Sequence, residues 1–212
     1  MTFKQYFTEA KRKVAQPVRP PTELELIDPE MAFLYAKKVL KGRFPEGEPI
    51  IAKNAKYSFN YAKSVIKDRF PEGEPVIAKN ARYSFKYAYY ILEGRFPEGE
   101  KTIAKAKLAA LDYALYVIKG EWPQGETAIS KCAYCSYIYS TILKDRFPKG
   151  EPAIAKDPHW AYEYAYYILK DRWPQAEEAI LKDPIYRDYY IQHLNRIGYK
   201  DDNNYDEYEY NV

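Results

Sequence analysis

Apolar residues along the chain recur at helical spacing and are interrupted, at near-constant intervals, by an aromatic-proline step. In residues 54–79, NAKYSFNYAKSVIKDRFPEGEPVIAK, the side chains of Phe59, Tyr61, Ala62, Val65 and Ile66 fall on one helical face. Asn54 is an N-cap for that helix, and Asp28, Asn80, Asp157 and Asp183 hold the equivalent place. Proline follows the cap at Pro29, Pro158 and Pro184, a first-turn position where the missing N–H is not needed. The helix is predicted to run to Lys67, with its end marked by Asp68 and in other copies by Gly42, Gly94, Gly120, Asp145 and Asp171. Pro71 then opens a shorter second helix with Glu72 and Glu74 in its first turn and Val76, Ile77 and Ala78 turned inward.

The step itself, aromatic-Pro-(Glu/Gln/Lys)-(Gly/Ala)-Glu, places proline at Pro45, Pro71, Pro97, Pro123, Pro148 and Pro174, spaced 26, 26, 26, 25 and 26 residues apart. Two short antiparallel helices cannot bury their apolar faces alone, so successive hairpins must stack. The expected fold is all-α: an α-solenoid of about six 26-residue helix-turn-helix repeats over residues 28–198, with a C-terminal capping helix at 183–197. The fifth copy is one residue short within its first helix, which predicts a local kink or shift there. Residues 1–13 form a leader-like segment, 14–27 a proline-rich linker, and 199–212 an acidic, tyrosine-rich tail expected to be disordered.

Aligned copies separate scaffold from surface. The pairs Tyr35-Ala36, Tyr61-Ala62, Tyr87-Ala88, Tyr113-Ala114, Tyr139-Ser140 and Tyr164-Ala165 read as inter-repeat packing, with an aromatic ladder for stacking bases as the rival. Ile51, Ile77, Ile103, Ile129, Ile154 and Ile180 are core positions, and Phe44, Phe70, Phe96, Trp122, Phe147 and Trp173 seal the corner between helices. Glutamates at 48, 74, 100, 126, 151 and 177 match an arginine column at 43, 69, 95, 146 and 172 and a lysine column at Lys53, Lys79, Lys105, Lys131, Lys156 and Lys182. These columns are expected to form ion pairs between neighbouring repeats or a solvated face; the alternative is a basic stripe that tracks nucleic-acid phosphates. Specificity in a solenoid sits where copies differ. On the first helix those places are Lys37/Lys38, Lys63/Ser64, Tyr89/Tyr90, Leu115/Tyr116 and Tyr166/Tyr167. Lys63, Tyr89, Tyr90, Tyr116, Tyr166 and Tyr167 are therefore the candidate partner-binding residues, since tyrosine offers large contact area at low entropic cost.

Composition narrows the chemistry. Lys+Arg number 33 against 30 Asp+Glu, a net charge of +3 that conceals −4 on residues 199–212. The body is mildly basic, short of a dedicated nucleic-acid binder. Tyrosine, at 24 residues, is the outlier. No apolar run suits a membrane span, the N-terminus lacks a secretory h-region, and two cysteines suit a reducing compartment. His159 and His193 are isolated, and Cys132-x-x-Cys135 has no second pair to complete a zinc site. The two cysteines stand where other copies place a cap and a core residue, so they read as structural, with a redox or metal role as the rival. No catalytic, cofactor or metal signature stands out, and the expectation is a non-enzymatic scaffold with no cofactor.

The first ten residues, MTFKQYFTEA, resemble the capsid-targeting leader of internal head proteins in T-even-type tailed phages, through Phe3, the pair Tyr6-Phe7 and the terminal Thr8-Glu9-Ala10. In that family a prohead protease cuts after the glutamate, which here implies processing between Glu9 and Ala10; Phe7 stands where Ile or Leu is usual. The body is similar to Tyr-Ala…Arg-Phe-Pro-Glu-Gly-Glu…Ile-Ala-Lys helical repeats of phage and environmental viral sequences. The resemblance implies a virion head interior before injection and the host cytoplasm after it, with no membrane. The partner it implies is a host defence or takeover factor or a virion component.

Overall fold

A computed structural model of the protein describes residues 18–199, and among them there are helices and connections but no strand. The leader, with Glu9 and Ala10, and all but the first residue of the acidic tail lie outside the described residues. The fold is all-α and built from repeated helical hairpins. Two compact units divide the chain, residues 1–79 and 80–212. The first holds copies one and two; the second holds copies three to six and the capping helix Pro184–Arg196.

Each first helix begins as the sequence demands. Asp28, Asn54, Asn80, Asp157 and Asp183 are extended at the cap, and their side-chain oxygens accept backbone N–H bonds from the first turn. Copy four starts at Ala106, whose side chain caps nothing. The second helices are short, from four residues (Glu48–Ile51) to nine (Pro174–Lys182), too short to persist without packing. Their isoleucines, 51, 77, 103, 129, 154 and 180, are fully buried, as are or nearly are the six aromatic corner residues.

A close approach within the hairpin requires glycine. A Cβ on Gly73 would lie 2.5 Å from the Phe70 ring and 2.7 Å from Ser58 Cβ, and Gly150 meets Phe147 and Ser136 in the same way. The serine that faces this glycine also reaches back one copy: Ser58 Oγ donates to the Ile51 carbonyl at 3.0 Å and Ser136 Oγ to Ile129 at 3.3 Å. One small side chain thus sets both the intra-repeat and inter-repeat spacing.

The end of the first helix departs from expectation. In five copies the α-helical turns widen into a π-helical stretch: Tyr35–Leu40, Ala62–Ile66, Ala88–Leu92, Ala114–Ile118 and Tyr164–Leu169. Lys67 N–H closes this wide turn on the Ala62 carbonyl, five residues back, at 2.7 Å. Each first helix ends on a left-handed residue (Lys41, Lys67, Glu93, Lys119, Lys144 and Lys170, φ between 48° and 59°) one position before the glycine or aspartate expected to stop it. The fifth copy is the exception, and in the opposite sense to the predicted kink. Its first helix, Ala133–Leu143, is α-helical throughout, and Lys144 N–H returns to Ser140, four residues back. The missing residue is the extra residue of the π turn.

Residues 18–27, part of the stretch expected to be a proline-rich linker, pack against copy one. Arg19 makes a bidentate pair with Glu25 (2.8 and 2.5 Å), Thr22 N–H donates to the same carboxylate at 2.7 Å, and Tyr35 Oη donates to the Arg19 carbonyl. With the 3₁₀ turn Leu24–Leu26 it forms a half-repeat that covers copy one.

Candidate protein-binding face

The charged columns meet at each corner. Arg43 clasps Glu48 with two 2.9 Å bonds, and Tyr61 Oη from the next copy donates to Glu48 Oε1 at 2.8 Å while accepting the Phe44 N–H at 2.7 Å. The same arrangement joins Arg95, Glu100 and Tyr113, then Arg146, Glu151 and Tyr164, and finally Arg172, Glu177 and Tyr190 of the capping helix. The arginine-glutamate pairs therefore lie within a copy, and the buried tyrosine hydroxyl ties one copy to the next. Burial pushes the Tyr61 hydroxyl up to about 12. For Glu48, burial alone would raise the pKa, but the bonds from Arg43 and Tyr61 outweigh it and leave the carboxyl below its usual range. The Tyr-Ala column is consumed by this joint, which removes it as a base-stacking ladder.

All six candidate partner-binding residues sit in π-helical stretches. The widened turn faces adjacent side chains outward, so Tyr89 and Tyr90 are both exposed, at 42% and 48%. Tyr89 meets Tyr90 edge-on at 4.9 Å and Tyr116 of the next copy at 5.8 Å, with Phe85 stacked beneath at 5.9 Å. Tyr116 is 48% exposed. A second group surrounds copy six. Tyr167, 55% exposed, packs edge-on against the half-buried Tyr166 at 4.7 Å; Tyr166 Oη accepts a bond from Arg196 at 2.5 Å and its ring faces His193. Lys63 is exposed beside Phe59 in the first unit, and its column holds tyrosine only in the second. Copy five, without a π turn, has Thr141 and Ile142 after its Tyr-Ser pair.

Sequence reasoning missed the exposed tyrosines Tyr134 and Tyr189, each set against partly buried rings. Tyr162 connects to Tyr189 at 5.8 Å and Tyr186 at 6.2 Å on the capping helix, and Tyr134 packs against Trp160 at 5.2 Å. The available signal was the tyrosine density of the capping helix itself, since a helix that only closes an array needs a polar outer face. These rings can accept an arginine or apolar side chain against a π face while their hydroxyls stay wet.

Lys53, Lys79, Lys105, Lys131, Lys156 and Lys182 are all exposed, on the second-helix side. Among the described residues, Lys182 alone of this column makes an ion pair, with Glu178 at 2.7 Å. A groove of about 760 Å³ between the second helices of copies three and four is lined by Lys101, Lys105 and Lys131, with Glu100, over Ala104 and Ala128. Its counterpart between copies five and six, about 680 Å³, likewise mixes Lys156 and Lys182 with Glu151 and Glu178.

The remaining polar candidates have structural surroundings. His159 is stacked between Trp160 and Tyr186, and His193 is buried with Nε2 3.4 Å from the Asp171 carbonyl. No group of three metal-ligating side chains occurs among the described residues. Cys132 occupies the cap of the Ala133–Leu143 helix and accepts the Cys135 N–H at 3.3 Å. No helix among the described residues is long and apolar enough to cross a membrane. No protein-family model matches the chain, and no curated protein or solved structure matches it either.

Proposed function

We propose that the protein is a non-catalytic helical-repeat scaffold that binds another protein through the tyrosine face of its first helices, centred on Tyr89, Tyr90 and Tyr116. The observation that carries this reading is the contrast between columns. Tyr61, Tyr113, Tyr164 and Tyr190 are buried in matching joints, whereas Tyr89, Tyr90 and Tyr116 of the variable column are half exposed and pack ring against ring. Preordered aromatics with few rotamers to lose are the side chains that dominate protein interfaces. The leader resemblance supports a phage source and a host factor or virion component as partner. The test is affinity capture from bacterial lysate with the protein as bait, with and without nuclease, read by mass spectrometry. A single stoichiometric protein that survives nuclease, and is lost when Tyr89, Tyr90 and Tyr116 become alanine with helicity retained, supports the reading; equal capture by the variant overturns this face.

The groove lined by Lys101, Lys105 and Lys131 favours a second reading, nucleic-acid binding on the opposite helices. It requires affinity that falls steeply with salt and drops when Lys105 and Lys131 become glutamate; a flat salt response rejects it.

A further inference from the structure

We infer that Cys132 and Cys135 form a reversible redox pair, closing an intramolecular disulfide at the start of the fifth copy when a small-molecule disulfide is the oxidant. These are both of the chain's cysteines, and the fold brings their sulfurs to 2.7 Å. A disulfide bond is about 2.05 Å long, so closure needs a shift well under 1 Å.

Cys132 caps its helix and Cys135 is buried, but neither role requires a cysteine. The cap column is Asp28, Asn54, Asn80, Ala106, Cys132, Asp157 and Asp183, and the column three residues later is Met31, Tyr57, Tyr83, Ala109, Cys135, Trp160 and Tyr186. Copy four carries alanine in both columns and still forms its helix from Lys107, so the site folds with neither an oxygen cap nor a large residue. In copy five both columns change together, and to the two residues that can bond to each other. The environment also divides their roles. Cys132 is partly exposed at the N-terminus of an 11-residue helix, where a dissolved disulfide can reach its sulfur, whereas Cys135 is fully buried.

The exchange is balanced by the named oxidant. The Cys132 thiolate attacks one sulfur of oxidised glutathione, forming a mixed disulfide and releasing one glutathione thiolate. The Cys135 thiol then loses its proton and attacks Cys132 Sγ, releasing the second. Both protein thiols are oxidised, the glutathione disulfide is reduced to two thiols, and a dithiol reductant reverses the sequence.

Incubating the full chain with oxidised glutathione and reading the intact mass tests this. The expected product has lost the mass of two hydrogen atoms, carries no adduct, and recovers its original mass in dithiothreitol. Cys135→Ser should instead retain one glutathionyl group on Cys132, and Cys132→Ser should stay unmodified. Replacing both cysteines with alanine, the pair that copy four already tolerates, should leave helicity unchanged and abolish the mass loss. A native chain that stays fully reduced, or that accumulates stable glutathionyl adducts without closing, overturns the proposal.

Discussion

Lys149 Nζ lies 2.5 Å from Glu126 Oε2, supplying from the fifth copy the cation that the fourth copy lacks. Elsewhere an arginine five residues before the corner glutamate does this work, but copy four has Glu121 in that place. Lys149 in turn stands where other copies carry Glu46, Glu72, Glu98, Gln124 and Gln175. The two sites have exchanged charge, and Tyr139 Oη still accepts the Trp122 N–H at 2.7 Å. Lys149→Glu should therefore destabilise the second unit by about 1 kcal/mol, because the buried Glu126 is left without a cation. Adding Glu121→Arg should restore stability, a coupling that a double-mutant cycle by urea denaturation would read directly. Additive effects would show that positions 121 and 149 do not act on Glu126 in common, and an unchanged Lys149→Glu variant would show that the lysine contact contributes nothing.

The joint predicts a sharper effect at Tyr113. Its hydroxyl accepts the buried Phe96 N–H at 2.9 Å and donates to Glu100 at 2.8 Å. Tyr113→Phe keeps the ring against Trp122 but leaves that N–H unpaired, which costs about 1–3 kcal/mol. The melting temperature should fall by several degrees, on the order of 2–4 °C per kcal/mol for a chain of this size. Tyr116→Phe, on the exposed column, should leave it unchanged in the same calorimetric scan.

The joints also set the pH limits. Burial raises Tyr61 and Tyr139 to about 12, and Tyr113 and Tyr164 shift in the same direction. A raised tyrosine pKa favours the protonated, folded form. Its contribution is complete below the ordinary value near 10 and is lost as pH rises toward about 12. The corner glutamates behave oppositely. Glu48, Glu100 and Glu151 are lowered, so their contribution is present above the ordinary carboxylate range and is lost as pH falls through the folded values. Stability should be flat across neutral pH, with an alkaline unfolding step that coincides with tyrosinate absorbance. Tyrosinate formation that runs to completion near its ordinary range without unfolding would contradict the buried joint.

The repeat was legible in the sequence because a 26-residue period constrains every column at once. Caps, buried isoleucines and corner aromatics all follow from it. The joint was harder to see. Glu48 and Tyr61 are 13 residues apart in a copy-spanning contact, and glutamate matched two basic columns equally well until packing placed arginine beside it and lysine outside. The prolines around Arg19 concealed a half-repeat because Pro20 and Pro21 replace the aromatic-proline step while the arginine-carboxylate pair survives through Glu25. The exposed tyrosines were found through variation alone. What sequence could not show was that their shared position is a π turn, since only the 25-residue spacing distinguishes it.

That difference of one residue gives the last prediction. Inserting a tyrosine between Thr141 and Ile142 makes the fifth copy 26 residues long. In an ordinary α-helix one added residue rotates everything beyond it by about 100° and would drive Leu143 and Lys144 off their places, unfolding the copy. Here the five companion helices show where an extra residue goes: into the turn after the Tyr-small pair, with the left-handed terminal residue and the corner unchanged. The insertion should therefore be absorbed as a π turn and change stability by less than about 2 kcal/mol. The lysine that follows Leu143 should then bond five residues back to Ser140 rather than four, and the inserted ring should face outward. A crystal structure or the amide exchange of that lysine would report it, and a cooperative loss of copies five and six would refute the equivalence of the 25- and 26-residue turns.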